Sequence, residues 1–506
     1  MAASTRSNPM IRSFRPKAYD NFSGLDTSRA DTAMDVGGSL PLTKCENAFC
    51  DWRGQIVRDP VASHRDGAGQ IVHARFIDRD VLVWAEKLSG HIQLTSDNED
   101  GTGSHTIEAY PTNSIVSSTI FNNRTHFACR SLPMFSYDGA QWEQNQSFSI
   151  NNLLKPAYLA SVQRRMVCAG INGREQEVHF SHVDNHEVWP DDEDPNSPDV
   201  ERAGTLTVRN LSGVAGRVTG LAPFEQTKIA IFTEDRAFLY NIDPDIEKWY
   251  LDDRANINIG CLSHNTIVPA GDDLLYCSRS GVHSIRRSED NGIMVNSQHY
   301  SDKIDILYRS LLAQVTNTEG INAAYDQDRR QYHIFFPVGS GVLTKRLTLT
   351  LNPEAKNKQS WSTGSYLNAA CGAFYGGKYV IGTAGGVFDV ADIESQDEDL
   401  VECQMEVVTP VLWVGDMVDQ KQAHSWTMMA SGPGVLEIEA MDEQNRNLGS
   451  WVVEIDGDSD DDMFAGVPLS RQYTRKLDAL FKGVRFRIRT KSKGLVRIVG
   501  FTINLR

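Results

Sequence analysis

Two short patterns contain residue types that are found at chemical sites. Residues 372–378 (GAFYGGK) have the spacing of a phosphate-binding P-loop, in which glycine N–H groups cradle the phosphates and the lysine contacts them. Tyr379, however, stands where that loop needs a serine or threonine to hold magnesium. An apolar strand pattern (YVIGTA) also follows where the P-loop needs a helix. We therefore interpret these residues as a turn between two strands.

The second pattern, residues 136–142 (SYDGAQW), is close to the Asp box of sialidases, which reads Ser-x-Asp-x-Gly before a tryptophan. Here the glycine and the tryptophan come too early, and the pattern occurs once in the chain. Glycoside hydrolysis needs two positioned carboxylates, and no pair of acids or cluster of arginines can be singled out to accompany this segment. We expect no enzymatic activity and no cofactor.

Metal ligands are the third possibility. Residues 456–462 (DGDSDDD) alternate carboxylates as a calcium loop does, but the loop lacks the glycine and the glutamate that an EF-hand needs at its sixth and twelfth positions. Adventitious binding of a cation to these residues is left open. His179, His182 and His186 lie close in sequence, yet on a strand the first two point to opposite faces. We expect unrelated packing or surface roles for them and predict no metal site.

An acidic loop stands out among the charged segments. Residues 184–201 contain eight carboxylates and three prolines in 18 positions. We interpret them as a solvated loop between strands, with a calcium site or a partner-binding loop as alternatives. Asp191, Asp192 and Asp194 are the interface candidates in this acidic loop.

The C-terminal residues have the opposite charge. Residues 471–506 contain eleven Lys or Arg and a single acid, which leaves the remainder of the chain strongly acidic. Strand alternation in VRFRIRTK places Arg485, Arg487 and Arg489 on one face and the apolar residues between them on the other. One interpretation of this arginine row is an ordinary solvated sheet face. The other is contact with an acidic patch on a neighbouring subunit or another component, since head-to-tail rings need two unlike surfaces.

Composition limits the protein class. The chain has 506 residues, 40% of them hydrophobic and 23% charged, which predicts a soluble globular protein of more than one domain. No apolar run approaches a membrane span, and no secretory signal is expected from the N-terminal residues. The net charge of −16 argues against general nucleic-acid binding. The eight cysteines form no CxxC pair and lie mostly in apolar strands, which predicts buried, reduced thiols of a protein made in the cytoplasm.

Short strands and turns supply the framework that must position these residues. Residues 216–285 contain two head-to-tail units of strand, turn and strand, and similar units recur from residue 71 to residue 391. Seven units over residues 50–395 leave about 49 residues each, which is room for four strands. The pattern predicts an all-β chain with a β-propeller of about seven blades, or six. Two stacked sandwiches with similar hairpins are the alternative.

The last unit is one strand short, and we expect the strand near Ile56 to complete it and close the ring. An acidic connector at residues 391–400 precedes longer, evenly alternating strands. These predict a C-terminal antiparallel β-sandwich. The predicted organisation is an N-terminal arm or lead-in at 1–46, the β-propeller at 47–395 and the β-sandwich domain at 396–506.

Several segments together resemble a known family. They are residues 174–190 (REQEVHFSHVDNHEVWP), residues 216–242 (GRVTGLAPFEQTKIAIFTEDRAFLYNI) and residues 258–285 (NIGCLSHNTIVPAGDDLLYCSRSGVHSI), with lead-in residues at 24–26, 47–48 and 54–58. This combination, followed by a late β-sandwich, resembles the tail hub or nozzle proteins of short-tailed bacteriophages. Some nozzle proteins carry large insertions between blades, whereas this chain is compact.

The resemblance implies a structural protein of the virion tail, made in the cytoplasm of the host bacterium. Its members form a ring, here expected to be a homohexamer, around the DNA channel below the portal and the tail adaptor. They dock tailspikes or tail fibres, retain the packaged DNA and let it pass at ejection without binding a specific sequence or inserting into a membrane. We also expect acidic blade loops to line or approach the channel. The alternative is a glycan-binding or carbohydrate-active propeller.

Overall fold

In the computed structural model, sixteen stretches of the chain are described. They are residues 17–28, 39–51, 53–77, 81–96, 105–111, 114–144, 155–209, 216–252, 257–287, 294–339, 343–351, 359–391, 403–413, 420–455, 470–491 and 495–505. The loop at 456–462 and the connector at 392–400 lie outside these stretches.

Seven short strands precede the first complete sheet. They are β1 (Lys17–Tyr19), β2 (Phe22–Leu25), β3 (Leu40–Leu42), β4 (Lys44–Glu46), β5 (Ala48–Cys50), β6 (Ile56–Arg58) and β7 (Val61–Asp66). Most have three or four residues, which is too short to bury a face alone, so each depends on a sheet formed by distant residues.

Seven antiparallel four-stranded units follow, which we number as blades 1 to 7. Blade 1 contains β8 (Gln70–Phe76), β9 (Leu82–Lys87), β10 (His91–Ser96) and β11 (His105–Pro111), and blade 2 contains β12 (Ser117–Phe121), β13 (Arg124–Ala128), β14 (Phe135–Tyr137) and β15 (Trp142–Gln144). Blade 3 contains β16 (Tyr158–Val162), β17 (Arg165–Ile171), β18 (Arg174–Phe180) and β19 (Gly204–Thr207). Blade 4 contains β20 (Val218–Phe224), β21 (Lys228–Thr233), β22 (Ala237–Asn241) and β23 (Tyr250–Leu251).

The remaining blades complete the ring. Blade 5 contains β24 (Val268–Ala270), β25 (Asp273–Ser278), β26 (Gly281–Arg287) and β27 (Met294–His299). Blade 6 contains β28 (Asn322–Asp326), β29 (Gln331–Val338), β30 (Leu343–Leu351) and β31 (Gln359–Gly364). Blade 7 contains β32 (Cys371–Tyr375), β33 (Lys378–Thr383) and β34 (Gly386–Ala391), with β7 as its fourth strand. The chain is therefore a seven-bladed β-propeller, as the sequence predicted.

Local turn chemistry explains why these hairpins form. Asn122 and Asn123 both have positive φ, at 50° and 57°, and Gly376 and Gly377 have φ of 57° and 85°. A two-residue turn with positive φ at both positions matches the twist of antiparallel strands, and asparagine and glycine adopt it most readily. The P-loop-like segment is therefore a hairpin turn, as expected, and the strand β33 follows it.

Apolar clusters join each blade to the next. Between blades 2 and 3, for example, Phe121 packs in one cluster with Leu159. The ring closes where Trp84 of blade 1 and Val380 of blade 7 share a cluster. Because each blade buries both faces against its neighbours, its strands are apolar in continuous runs rather than in strict alternation.

The strand that closes the ring differs from the predicted one. An N-terminal strand does complete blade 7, but it is β7, with Ala62 opposite Val390. The strand near Ile56 is β6, which pairs with β5 and with the C-terminal strand β41 (Arg497–Leu505). A three-residue strand cannot cover the six residues of β34, whereas β7 has six.

The C-terminal β-sandwich is built from both ends of the chain. Its own strands are β35 (Glu406–Val408), β36 (Lys421–Ser431), β37 (Gly434–Asp442), β38 (Asn447–Ile455), β39 (Arg471–Phe481), β40 (Val484–Thr490) and β41. One sheet has the order β39-β36-β41-β6-β5, with β1 added on β41. The other has the order β4-β35-β40-β37-β38, and β4 joins blade 6 through one parallel pair with β31. Residues 48–58, which the sequence assigned to the propeller, therefore pair with sandwich strands.

Aromatic packing forms the sandwich core. Trp426 is fully buried, with ring centroids 5.3 Å from Trp451 and 5.9 Å from Phe486. The long strand β39 does not show the even alternation of the other sandwich strands, because its exposed positions are charged or polar along most of its length.

One short α-helix, α1 (Asp305–Leu312), connects blades 5 and 6 and was not predicted. Its Tyr308 is buried and donates a hydrogen bond to the Ser278 carbonyl at 2.7 Å. Among the described residues, no helix is long and apolar enough to cross a membrane.

Candidate functional site

The acidic loop connects β18 and β19 of blade 3 and is folded against the propeller. Trp189 is 1% exposed and packs between blades 2 and 3, and its indole N–H donates to the His186 carbonyl at 2.8 Å. A short 3-10 turn, Pro190–Asp192, follows. The loop is therefore anchored by a buried aromatic side chain, although most of its carboxylates are exposed.

A buried arginine holds the far end of the same loop. Arg165 is 1% exposed and donates to the carbonyls of Ser181 and Arg202, both at 2.8 Å, and of Val200 at 2.9 Å. It also reaches the Pro244 carbonyl in blade 4 at 3.2 Å. Burial lowers the pKa of Arg165 from its ordinary value. One guanidinium thus links the acidic loop to two blades.

The predicted aspartates differ in their local roles. A carboxylate oxygen of Asp191 lies 3.8 Å from Arg174, and both side chains are partly exposed. Asp194 accepts the backbone N–H of Asn196 at 2.9 Å, so it stabilises a turn. The side chain of Asp192 lies outside the described part of the structure. A partner protein could therefore contact Asp191 and Asp194 only at the surface of the acidic loop.

The arginine row lies on one face of β40, as predicted, with Phe486 and Ile488 buried on the other. Arg485, Arg487 and Arg489 are half-buried rather than freely solvated.

Carboxylates of neighbouring strands pair with this row. Glu406 of β35 lies 2.9 Å from Arg487 and 3.3 Å from Arg489, and Glu439 of β37 lies 3.5 Å from Arg487. Burial alone would raise the pKa of Glu406, but its hydrogen bond to Lys44 and the two arginines lower that pKa. Much of the positive charge of the row is therefore balanced within its own sheet, a feature that sequence spacing did not show.

Basic charge that is not balanced in this way lies on the edge strand β39. This strand pairs with β36 on one side and is the last strand of its sheet. Lys476 is exposed, and among the described residues no carboxylate lies within 4 Å of its ammonium group. The guanidinium of Arg475 donates to the Thr474 carbonyl at 3.1 Å.

The other chemical patterns have structural roles. Asp138 of the Asp-box-like segment accepts the N–H groups of Ala140 and Gln141 at 2.9 and 2.7 Å and pairs with Arg124 at 3.3 Å. These hydrogen bonds, and to a lesser extent Arg124, lower the pKa of Asp138, whereas burial acts in the opposite direction. The carboxylate therefore shapes a turn.

The three neighbouring histidines have separate partners, as expected. His179 is hydrogen-bonded to Thr205 at 3.0 Å, and His182 to the Val183 carbonyl at 2.9 Å. The ring of His186 lies 4.7 Å from that of His126 in blade 2. Across the sixteen described stretches, no group of three His, Cys, Asp or Glu side chains is arranged to hold a metal ion.

All eight cysteines are buried with free thiols, as the sequence predicted. Burial raises the pKa of Cys50, Cys277 and Cys371 to about 12. Such thiols are poor nucleophiles, because the thiolate is the reactive form.

A feature that the sequence analysis missed is a cavity on the propeller axis. Its volume is about 440 Å³, and the innermost strands of blades 1, 2, 5, 6 and 7 line it. Its charged lining residue is Arg75 on β8, accompanied by His73 and His264. The alternation around Arg75 resembles that of any inner strand, so only the ring arrangement brings these side chains together.

Comparisons with known proteins identify no family. Neither the family models nor the curated proteins include a match to this chain. Similar solved structures include the WD40 β-propeller domain of Doa1, at 9% identity and a TM-score of 0.38, with 67% of this chain and 97% of that chain covered. YCF48 bound to D1 peptide has 12% identity and a TM-score of 0.37 over 67% of this chain and 97% of that one. The computationally designed Ika8 protein has 11% identity and a TM-score of 0.35 over 74% of this chain and 99% of that one. Similarities at this level carry no argument about function.

Proposed function

We propose that this chain is a structural protein of a short-tailed bacteriophage virion, a tail hub or nozzle subunit. In this proposal it forms a homohexameric ring below the portal and the tail adaptor, carries tailspikes or fibres, and performs no chemistry. The observation that carries the proposal is the resemblance of residues 174–190, 216–242 and 258–285 to that family. These residues belong to three consecutive blades of the propeller.

Rigidity of the subunit supports a scaffold role. Ion pairs connect loops of different blades: Glu319 lies 2.8 Å from Arg217 and 3.5 Å from Arg130. Glu234 continues this network, at 3.2 Å from Arg279. Because these five residues come from blades 2, 4 and 5 and from the connection to blade 6, the network restrains blades against one another.

The channel for DNA would run between subunits in this proposal. The axial cavity of about 440 Å³ within one propeller is far too small for a duplex. The acidic loop and the basic edge strand β39 are the two unlike surfaces that a head-to-tail ring requires. An acidic surface near the channel would repel the phosphate backbone and let DNA slide.

Electron microscopy of the purified chain, alone and mixed with phage heads that lack tails, tests the proposal. Six-fold rings, or particles attached at the portal vertex, are expected. A monomer that binds or cleaves glycans on a glycan array would instead favour the alternative propeller function.

Charge reversal distinguishes the two basic surfaces. We expect the Arg475→Glu/Lys476→Glu variant to weaken ring formation, and to do so more strongly at low salt, because exposed charges are screened by ions. Reversal of Arg485, Arg487 and Arg489 tests the arginine row in the same way. It would also place acids beside Glu406 and Glu439, so its folding must be checked by thermal unfolding. Rings that persist with both variants on a sizing column would exclude these surfaces as the subunit interface.

A further inference from the structure

The axial cavity has the dimensions of a ligand site. Its volume of about 440 Å³ lies within the range of about 300–1,000 Å³ that small-molecule sites occupy. The inner strands β8, β12, β24, β28 and β32 form its wall, and the 3-10 turn His264–Thr266 contributes to it. Since these elements belong to a closed ring, the wall is formed before any ligand arrives.

One uncompensated positive charge faces this cavity. Within the described stretches, the guanidinium of Arg75 donates a hydrogen bond to the Ser118 carbonyl at 2.9 Å. Neither aspartate nor glutamate is among the residues that line the cavity, and no carboxylate of the described residues forms an ion pair with Arg75. Arg75 is half-buried, and burial lowers the pKa of its guanidinium to about 10. A guanidinium partly withdrawn from bulk water without a counter-charge is costly. An anion in the cavity would offset that cost.

The histidines beside Arg75 add hydrogen-bonding capacity without charge. Burial and the neighbouring guanidinium lower the pKa of His73 to about 3 and that of His264 to about 4, so both rings are neutral at pH 7. The backbone N–H of Leu221 donates to Nδ1 of His264 at 3.3 Å, which leaves the proton of the neutral ring on Nε2. Nε2 of His73 is hydrogen-bonded to the Ser118 hydroxyl at 2.7 Å.

Aromatic side chains lie at the rim. Tyr375 is 45% exposed, and its ring centroid lies 6.4 Å from that of Phe76, which is 3% exposed and packs between blades 1 and 7. Tyr325 and Phe374 also line the cavity. These rings offer apolar surface to the carbon skeleton of a ligand, close to a charge that selects an anion.

We propose that the axial cavity binds a small organic acid, with its carboxylate on Arg75 and its carbon skeleton against Tyr375. The proposal does not depend on the assembly function, because it concerns a cavity within one subunit. An inorganic anion would use the guanidinium alone and would gain nothing from the aromatic rim.

Isothermal titration of the full chain with succinate, benzoate and glucuronate tests this site, with glucose and inorganic phosphate as comparison ligands. We expect one molecule of at least one acid to bind per chain, with no heat from glucose. Arg75→Gln should weaken that binding by about 10- to 100-fold, since a hydrogen-bonded charge pair is lost. Arg309→Gln, on the exposed face of α1, removes the same charge away from the cavity and should leave the affinity unchanged.

Two further variants test the charged part and the aromatic part of the proposed site separately. Arg75→Lys keeps the charge and should bind more weakly than the parent chain but more tightly than Arg75→Gln. Tyr375→Ala should weaken binding of the acids while leaving that of phosphate unchanged. If no carboxylate binds, if phosphate alone binds, or if the affinity survives in folded Arg75→Gln, the proposal is overturned.

Discussion

Replacing Arg165 by methionine should release the acidic loop while the ring remains folded. The substitution removes hydrogen bonds to five carbonyls, at distances of 2.8 to 3.4 Å, and leaves those oxygens without this donor. Each hydrogen bond from a charged group contributes about 1.5–3 kcal/mol. The desolvation cost of the buried guanidinium disappears with it and offsets much of this sum. We therefore expect a net loss of about 3 kcal/mol, concentrated on the loop.

Limited proteolysis measures this loss directly. When opening is fast relative to cleavage, the cleavage rate follows the population of the open loop, and 3 kcal/mol corresponds to a rise of about 100-fold. A protease specific for acidic residues, with mass-spectrometric mapping, should cut Arg165→Met first within residues 184–201. The urea midpoint of the whole chain reports any global unfolding separately.

The adjacent residue provides a matched control. Arg164 has a side chain that is 72% exposed and pairs with Asp184 at the surface. Because exposed ion pairs contribute little, Arg164→Met should cleave within about threefold of the parent chain. If Arg165→Met is cleaved no faster than Arg164→Met, the guanidinium does not anchor the loop. Cuts spread over all blades would place the loss in the ring rather than in the loop.

Three other perturbations test the ring and its buried charges. Phe388→Ala, in β34, should cost about 3–5 kcal/mol in urea unfolding, because Phe388 packs with Ala62 of β7, which completes blade 7. Leu480→Ala at an exposed position should change stability by less than about 0.5 kcal/mol, and similar urea midpoints for the two variants would argue against a stabilising role of this packing. Burial lowers the pKa of His126 to about 3. Below about pH 6.5 the unfolded chain therefore binds more protons than the folded chain, so the free energy of unfolding decreases as the pH is lowered. His126→Phe should reduce that slope by about 1.3 kcal/mol per pH unit near pH 5, and an unchanged slope would show that the ring protonates while folded. Arg346 forms an ion pair with the buried Asp59 beside blade 7. Arg346→Met should therefore destabilise the chain by about 3–5 kcal/mol, because it leaves a buried carboxylate without its partner. Adding Asp59→Asn should recover part of this loss in a double-mutant cycle, and strictly additive effects would refute the pairing.

The sequence was enough to locate the two charged surfaces along the chain, but it did not show which groups their side chains pair with. Strand alternation was enough to place Arg485, Arg487 and Arg489 on one face, since side chains alternate along every strand. Their pairing with Glu406 and Glu439 depends on two strands from elsewhere in the chain. Local sequence therefore predicted the row and could not predict that its charge is balanced.

The sequence by itself determined the all-β class, the seven repeating units and the positions of several turns, because hydrophobic runs and the preference of Asn and Gly for positive φ are local properties. Tertiary structure alone decided that β7 rather than β6 closes the ring and that the N-terminal strands complete the sandwich. It also decided that Arg75 faces an axial cavity. Strand partners and cavities depend on residues hundreds of positions apart, and their geometry exists only once the ring has closed.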